Sequence, residues 1–133
     1  MKATDMLEVS EESKMMFELM SGRTEIGFNM SHMPRVCEQL QVNNGWLSIQ
    51  CSAGHYCLPR ITKDDIHTYD SYEVAILDGS HNIIGDVERL TRLLAGFDRL
   101  SEFMGCFSSP VFGYVPRDLV NELYEFMIEK CFK

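Results

Sequence analysis

Three residues in the middle of the chain, Cys51, His55 and Cys57, carry side chains that can bind a metal ion or form a covalent intermediate. If Ala53 and Gly54 reverse the chain, the three side chains approach one another, because residues two apart in a strand point to the same side. Thiolate and imidazole groups are zinc ligands, but a structural zinc site needs a fourth ligand. The remaining histidines are isolated in the sequence: His32, His67 and His81.

The same cluster is a candidate nucleophile and base. Covalent catalysis requires a thiol within hydrogen-bond reach of an imidazole, together with an oxyanion hole. No predicted helix begins directly after either cysteine to lower its thiol pKa. The sequence therefore favours a hairpin in which Cys51 and Cys57 fill the core and His55 makes a structural hydrogen bond. Zinc binding and catalysis remain alternatives, and no cofactor is predicted.

The run from Asp78 to Asn82 places Ser80 directly before His81. Adjacent residues in a turn rarely face each other as a catalytic serine and histidine must, so we interpret this run as a turn. The chain contains no glycine-rich phosphate-binding motif. These observations argue against an enzyme.

Four carboxylates share one outward face of the last predicted helix, because their positions differ by four, three and four residues. They are Asp118, Glu122, Glu125 and Glu129, and we call them the acidic stripe. Like charges at these spacings repel by a few tenths of a kcal/mol per pair. A basic partner surface would turn this repulsion into attraction. The stripe is thus the candidate partner-binding site, and a solvated helix face is the alternative.

Methionines give a second indication of an interaction surface, since six of the nine fall between Met6 and Met33. Methionine side chains are flexible and recur on adaptable binding surfaces. The alternative is that Met15, Met16 and Met20 fill the core as the apolar face of an amphipathic helix.

Composition limits the class of protein. The 133 residues are 45% apolar and carry a net charge of −8, which indicates one globular domain and argues against direct nucleic-acid binding. No apolar run is long enough for a membrane span, and acidic residues occupy the position of a signal peptide. Five cysteines, an odd number, indicate reduced thiols in the cytoplasm.

The apolar periodicities predict an α+β fold, with an antiparallel sheet of four or five short strands and two or three helices packed on one face. Residues 1–45 are expected to be helical, with one helix capped by Ser10 that ends at Gly22 and a second from Ser31, while the stretch from Glu25 to Met30 stays undecided between strand and loop. Residues 46–85 are expected to form β hairpins, with alternating strands at 46–51 and 72–77 and a return arm from His55 to Leu58. Residues 86–133 are expected to form one long helix that is capped by Asp86 and ends at Gly105, a short strand and a C-terminal helix, all within a single domain of residues 1–133.

Three runs share a pattern with known sequences: Cys-Ser-Ala-Gly-His-Tyr-Cys-Leu-Pro-Arg at 51–60, Tyr-Glu-Val-Ala at 72–75 and Gly-Tyr-Val-Pro at 113–116. Together they resemble a pattern in small uncharacterised proteins of bacteriophages and prophages, over about residues 46–116. The resemblance implies a mobile-element origin and a bacterial cytoplasm, but it carries no activity.

We therefore predict a small acidic interaction protein without enzymatic activity, which binds a basic surface on a host protein, such as a complex that handles nucleic acid. For a phage-like protein, the concrete form is an inhibitor of host defence, such as an anti-CRISPR protein. The alternatives are a small enzyme or zinc protein centred on Cys51, His55 and Cys57, and a self-assembling module. Three aromatic residues that we expect to be exposed leave a homodimer open: Phe107, Phe112 and Phe132.

Overall fold

The computed structural model describes residues 2–21 and 30–133. Within them, five strands form one antiparallel sheet in the order β1-β2-β3-β5-β4. The strands are β1 Leu40–Val42, β2 Gly45–Gln50, β3 Ser71–Leu77, β4 Phe107–Ser108 and β5 Val111–Pro116. The α-helices are α1 Glu11–Ser21, α2 Val87–Leu93, α3 Leu100–Met104 and α4 Arg117–Lys130. This arrangement confirms the predicted α+β class.

Alternation along β2 decides which of its side chains enter the core. Leu47 and Ile49 are fully buried and lie opposite Ile76 and Val74 of β3. The intervening residues of β2 point to the other side, where Trp46 lies opposite Leu77 and is only half-buried. Period-two side-chain direction therefore leaves the chain's one tryptophan on the face away from the main core.

Helix α4 contacts β1, β3 and β5 and buries Leu119, Leu123 and Met127. The N-terminal segment is fastened to it, because Thr4 N donates to Asn121 Oδ1 at 2.9 Å and Asn121 Nδ2 donates to the Thr4 hydroxyl at 3.1 Å. The buried amide is thus fully engaged within the protein.

Several predicted helix boundaries are confirmed. Ser10 caps α1 by accepting a hydrogen bond from Ser13 N at 3.2 Å. Asp86 caps α2 by accepting from Glu88 N at 3.1 Å, and α3 ends before Gly105. These side chains satisfy backbone groups that a helix end leaves unpaired.

The prediction of one long helix after Asp86 is wrong. The chain forms α2 and α3 with a turn between them, in which Gly96 has a φ of 92°. That conformation is accessible to glycine without steric cost and interrupts the helix. Leu94, Phe97 and Phe103 are nevertheless all buried, so the apolar spacing indicated core residues correctly although the backbone is not continuous.

Three further predictions are wrong. The aromatic side chains expected at the surface pack on the core instead, since Phe112 is fully buried and Phe107 and Phe132 are partly buried against it. The segment after Ser31 has only a 3₁₀ turn at Met30–His32, and the next residues run to β1 without an α-helix. This path is stabilised by Gln50, whose side-chain amide bonds both backbone groups of Cys37 at 2.7 and 2.9 Å. The expected return arm from His55 to Leu58 is a series of turns, with a single bridge from Leu58 to Ser71. The predicted helix end at Gly22 and the undecided stretch from Glu25 lie outside the described residues.

Candidate functional site

The central cysteines and histidine make separate internal contacts. Cys51 and Cys57 are fully buried. The Cys51 thiol donates to Ile66 O at 3.8 Å, and the Cys57 thiol donates to Ser52 O at 3.3 Å. Each sulfur therefore packs against a backbone carbonyl of the surrounding loop, as expected for cysteines that serve as small core residues.

His55 interacts with a residue that the sequence did not single out. Ser52 Oγ and His55 Nδ1 share a hydrogen bond of 2.7 Å, and Ser52 Oγ also accepts from Gly54 N at 3.2 Å. A serine hydroxyl next to an imidazole resembles a nucleophile and its base. Ser52 is, however, completely buried, so no substrate can reach its hydroxyl. The pair closes the turn at 52–55.

The surroundings of the turn disfavour the charged forms of His55, Cys51 and Cys57. Burial, reinforced by the cations of Arg35 and Arg60, lowers the pKa of His55. Burial raises the pKa of the Cys57 thiol, and a hydrogen bond with the Cys37 thiol, together with burial, raises the pKa of Cys51. Thiols that stay protonated are poor nucleophiles and poor metal ligands.

No metal site is formed in the described part of the chain, residues 2–21 and 30–133: no three or more of its histidine, cysteine and acidic side chains are placed to hold an ion. The zinc hypothesis for Cys51, His55 and Cys57 therefore gains no support from the geometry. Burial of Cys51 and Cys57 in the core, within a series of turns and not a hairpin, is the better interpretation of these residues.

A buried arginine holds this loop in place. Arg35 Nη2 donates to Cys51 O at 3.0 Å and to the Tyr69 hydroxyl at 3.3 Å, and Nη1 donates to Lys63 O. Among the described residues, no carboxylate forms an ion pair with it. Its position in the fold, rather than any motif, gives Arg35 this role, so the sequence contained no signal for it.

The four carboxylates of the acidic stripe are exposed on α4, and Arg99 partly neutralises their charge. Arg99 Nη1 lies 2.9 Å from Asp118 Oδ2 and also contacts Glu122, and Arg99 Nη2 contacts Glu102 at 2.5 Å. The hydrogen bond from Arg99 lowers the pKa of Asp118. Asp118 and Glu122 are therefore engaged by one guanidinium that also serves a third carboxylate.

The second half of the stripe carries the excess charge. Glu125 and Glu129 line a cavity of about 260 Å³ between α4 and the turn that contains Asp98. Glu129 has Lys130 at 3.9 Å, and both side chains of that pair are well exposed. An exposed ion pair at this distance contributes little, so this end of α4 remains negative.

A second acidic cavity lies at the half-buried face of β2. It has a volume of about 420 Å³ and lies between the start of α1, residues 36–39, Trp46 and His81. The rings of Trp46 and His81 are stacked, with centroids 4.3 Å apart and planes at 27°. Three carboxylates line this cavity, which we call the Trp46 cavity: Glu11, Glu12 and Glu38. Sequence reasoning missed it, because its residues are distant in the chain.

Two of the three methionines of α1, Met15 and Met16, lie outside the core, while Met20 is half-buried. Met15 and Leu19 are each 67% exposed, and Met16 is 49% exposed. Core filling, the alternative interpretation of these residues, is therefore wrong for Met15 and Met16. An exposed apolar helix face is instead typical of an interaction surface.

Comparison of the chain with protein-family models, with curated proteins and with solved structures gave no match. In the described residues, every helix is too short or too polar to cross a membrane.

Proposed function

We propose that this chain is a non-enzymatic interaction protein whose acidic surface binds a basic surface of a partner protein. The observation that carries the proposal is the charge balance of α4. A single guanidinium, Arg99, serves three carboxylates, and Glu125 and Glu129 extend the negative surface beyond it. Complementary charge accelerates encounter and selects the partner.

The fully buried cysteines and serine of the central turn support the same proposal, because they leave no accessible nucleophile there. In its finer form, the partner is a host protein that handles nucleic acid, and binding occludes the basic path of that protein. For a chain of phage origin, this partner would be a defence complex, and the mechanism would be that of an anti-CRISPR inhibitor. The chain itself would not bind nucleic acid.

The test is charge reversal at the end of the stripe that Arg99 does not occupy. Glu122→Lys would place an ammonium beside Arg99 and disturb the fold, so the cleaner variant is Glu125→Lys with Glu129→Lys. The matched control, Glu8→Lys with Glu88→Lys, changes the same net charge at exposed sites elsewhere. We expect a partner captured from bacterial lysate by the wild type and the control to be lost by the stripe variant. Retention of that partner by the stripe variant would remove the electrostatic basis of the proposal.

The enzyme or zinc alternative has its own test. Elemental analysis of the purified protein should show no stoichiometric zinc. Thiol titration at neutral pH should be slow, because four of the five thiols are buried and burial raises the pKa of Cys131 to about 11 and also that of Cys106. The hydrogen bond with Cys51 lowers the pKa of Cys37, but the Cys37 side chain is buried away from the reagent. One rapidly reacting thiol, or one bound zinc per chain, would favour the alternative.

A further inference from the structure

The Trp46 cavity is built to exclude anions. Among the residues that the structure describes, its lining holds three carboxylates and neither lysine nor arginine. Glu11 is paired with Lys14 at 3.3 Å, while no ion pair of that kind involves Glu12 or Glu38 in the described chain. The cavity also adjoins the start of α1, whose helix dipole is positive there, but the acidic residues of the first turn offset it. The net field therefore favours a cation.

The aromatic wall of the cavity is held in a strained conformation. His81 has a φ of 64°, which is uncommon for a residue other than glycine and costs on the order of 1 kcal/mol. Its ring is fixed by the stack on Trp46, and its Nδ1 donates to Gln39 Oε1 at 2.7 Å. The stack is an observation independent of the carboxylates, and it places a paired indole and imidazole in the same wall.

Aromatic rings and carboxylates together are the chemistry that receives a lysine or arginine side chain. Carboxylates accept the hydrogen bonds that an ammonium or guanidinium donates, and aromatic rings pack against the apolar stem of a lysine or arginine side chain. A cavity of about 420 Å³ has room for one such side chain.

An apolar surface continues from the cavity along α1. Glu12 lies on the same helix face as Met15, Met16 and Leu19, because these positions follow it by three, four and seven residues. Val36, which lines the cavity, is also half exposed. A ligand that fills the cavity thus has an apolar surface beside its charged group.

We propose that the Trp46 cavity receives a lysine or arginine side chain of a partner segment that forms a basic amphipathic helix, and that the apolar face of this helix packs on Met15, Met16 and Leu19. Methionine-rich acidic surfaces suit such helices, because flexible side chains adapt to the apolar face while carboxylates meet the basic one. The inference rests on the proposed function and adds a second contact, separate from the acidic stripe, with the chemistry of its ligand.

The chain offers a direct reporter, because Trp46 is its only tryptophan. The probe is a tryptophan-free synthetic peptide of about 18 residues, long enough for a helix, with leucine and lysine at amphipathic spacing. A matched peptide carries glutamine in place of every lysine. We expect the lysine peptide to change Trp46 fluorescence saturably and the glutamine peptide to bind at least about tenfold more weakly.

Paired variants locate the contact. Glu12→Gln with Glu38→Gln should weaken binding of the lysine peptide about tenfold, since each exposed charge contributes up to about fivefold. Met15→Ser with Leu19→Ser should weaken it similarly, and both positions are too exposed for the fold to depend on them. The matched control, Asp70→Asn with Glu88→Gln, removes the same charge at exposed positions outside both the cavity and the acidic stripe, and should change the affinity less than about twofold. Circular dichroism of each variant checks that it is folded.

The results that would overturn the assignment of the Trp46 cavity differ from those that would overturn the proposed function. Equal binding of the two peptides, or no binding of either, would overturn the assignment of the cavity. So would a loss of binding in the control as large as that in the Glu12 and Glu38 variant, because the effect would then follow net charge and not the cavity. The proposed function is judged separately, by capture of the natural partner with the Glu125→Lys and Glu129→Lys variant.

Discussion

The turns at 52–57 and 78–82 each carry a histidine, and they differ in how far their polar groups are used within the fold. In the turn at 52–57, the His55 ring is bonded to a buried serine hydroxyl, and both neighbouring cysteines are buried. In the turn at 78–82, His81 is exposed, has a positive φ and lines an open cavity with Trp46.

Several reactive side chains within a short stretch of sequence therefore do not by themselves indicate a binding site. The 52–57 turn has more thiol and imidazole groups in the sequence, but its hydrogen bonds are satisfied internally, so it stabilises the loop. The 78–82 turn has ordinary turn residues, and its Asp78 side chain accepts from Ser80 N and Asn82 N. Tertiary structure brings carboxylates and an indole beside it, and the exposed groups there remain available to a ligand.

The largest expected effect tests whether the first turn is structural. Arg35→Ala should lower the free energy of unfolding by about 3 kcal/mol, because it leaves the Cys51 carbonyl and other buried acceptors unpaired and opens a cavity. The control is Arg60→Ala, which removes an exposed guanidinium 4.9 Å from the Tyr56 ring and should cost less than about 1 kcal/mol. Urea denaturation gives both values. Equal midpoints for Arg35→Ala and the wild type would contradict a structural role.

A serine substitution in each turn tests whether the serine hydroxyl stabilises the first turn more than the second. Ser52→Ala should cost about 1–2 kcal/mol, because Gly54 N and the His55 ring lose their shared partner in a buried site. Ser80→Ala should change the free energy of unfolding by less than about 0.5 kcal/mol, since Ser80 is exposed. Thermal unfolding followed by calorimetry distinguishes the two. A decrease in the free energy of unfolding for Ser80→Ala as large as that for Ser52→Ala would contradict the different roles of the two turns.

Replacement of His81 by glycine separates binding from stability. Glycine adopts the positive φ of this position without strain, but it removes the stack on Trp46 and the bond to Gln39. These opposing terms should leave the free energy of unfolding within about 1 kcal/mol of the wild type. The Trp46 emission spectrum should change nonetheless, because the indole loses its covering ring. An unchanged spectrum would show that the two rings are not stacked in solution.

The smallest expected effect is on pH dependence. Because burial lowers the pKa of His55, the unfolded chain binds a proton more readily than the folded one as the pH falls below about 6.5. The stability due to neutral His55 is therefore complete above that pH and declines below it. In the His55→Gln variant, the urea midpoint should change less between about pH 7 and pH 5 than it does in the wild type. An identical slope in both proteins would mean that His55 is not shielded.

Much of the fold was predictable because it depends on local patterns. Period-two alternation located β2 and β3, and capping residues located the starts of α1 and α2. The break between α2 and α3 was not predictable from apolar spacing, because Gly96 alone does not show whether a helix continues through it. The extended path after Ser31 depends on the distant amide of Gln50, for which no local pattern exists.

The candidate sites were likewise predictable only where a local sequence pattern places their residues. Helical periodicity by itself determined that Asp118, Glu122, Glu125 and Glu129 share one face of α4, since that follows from 3.6 residues per turn. Only the tertiary structure decided that Arg99 engages the first two of them, that His55 is bonded to a buried serine, and that Trp46 meets His81 beside Glu12 and Glu38. The physical reason is that the contacts of Arg99 and Trp46 join residues far apart in the chain, whose partners are chosen by strand pairing and packing. Ser52 and His55 are close in the chain, but the burial of Ser52 depends on what the rest of the fold packs over the turn.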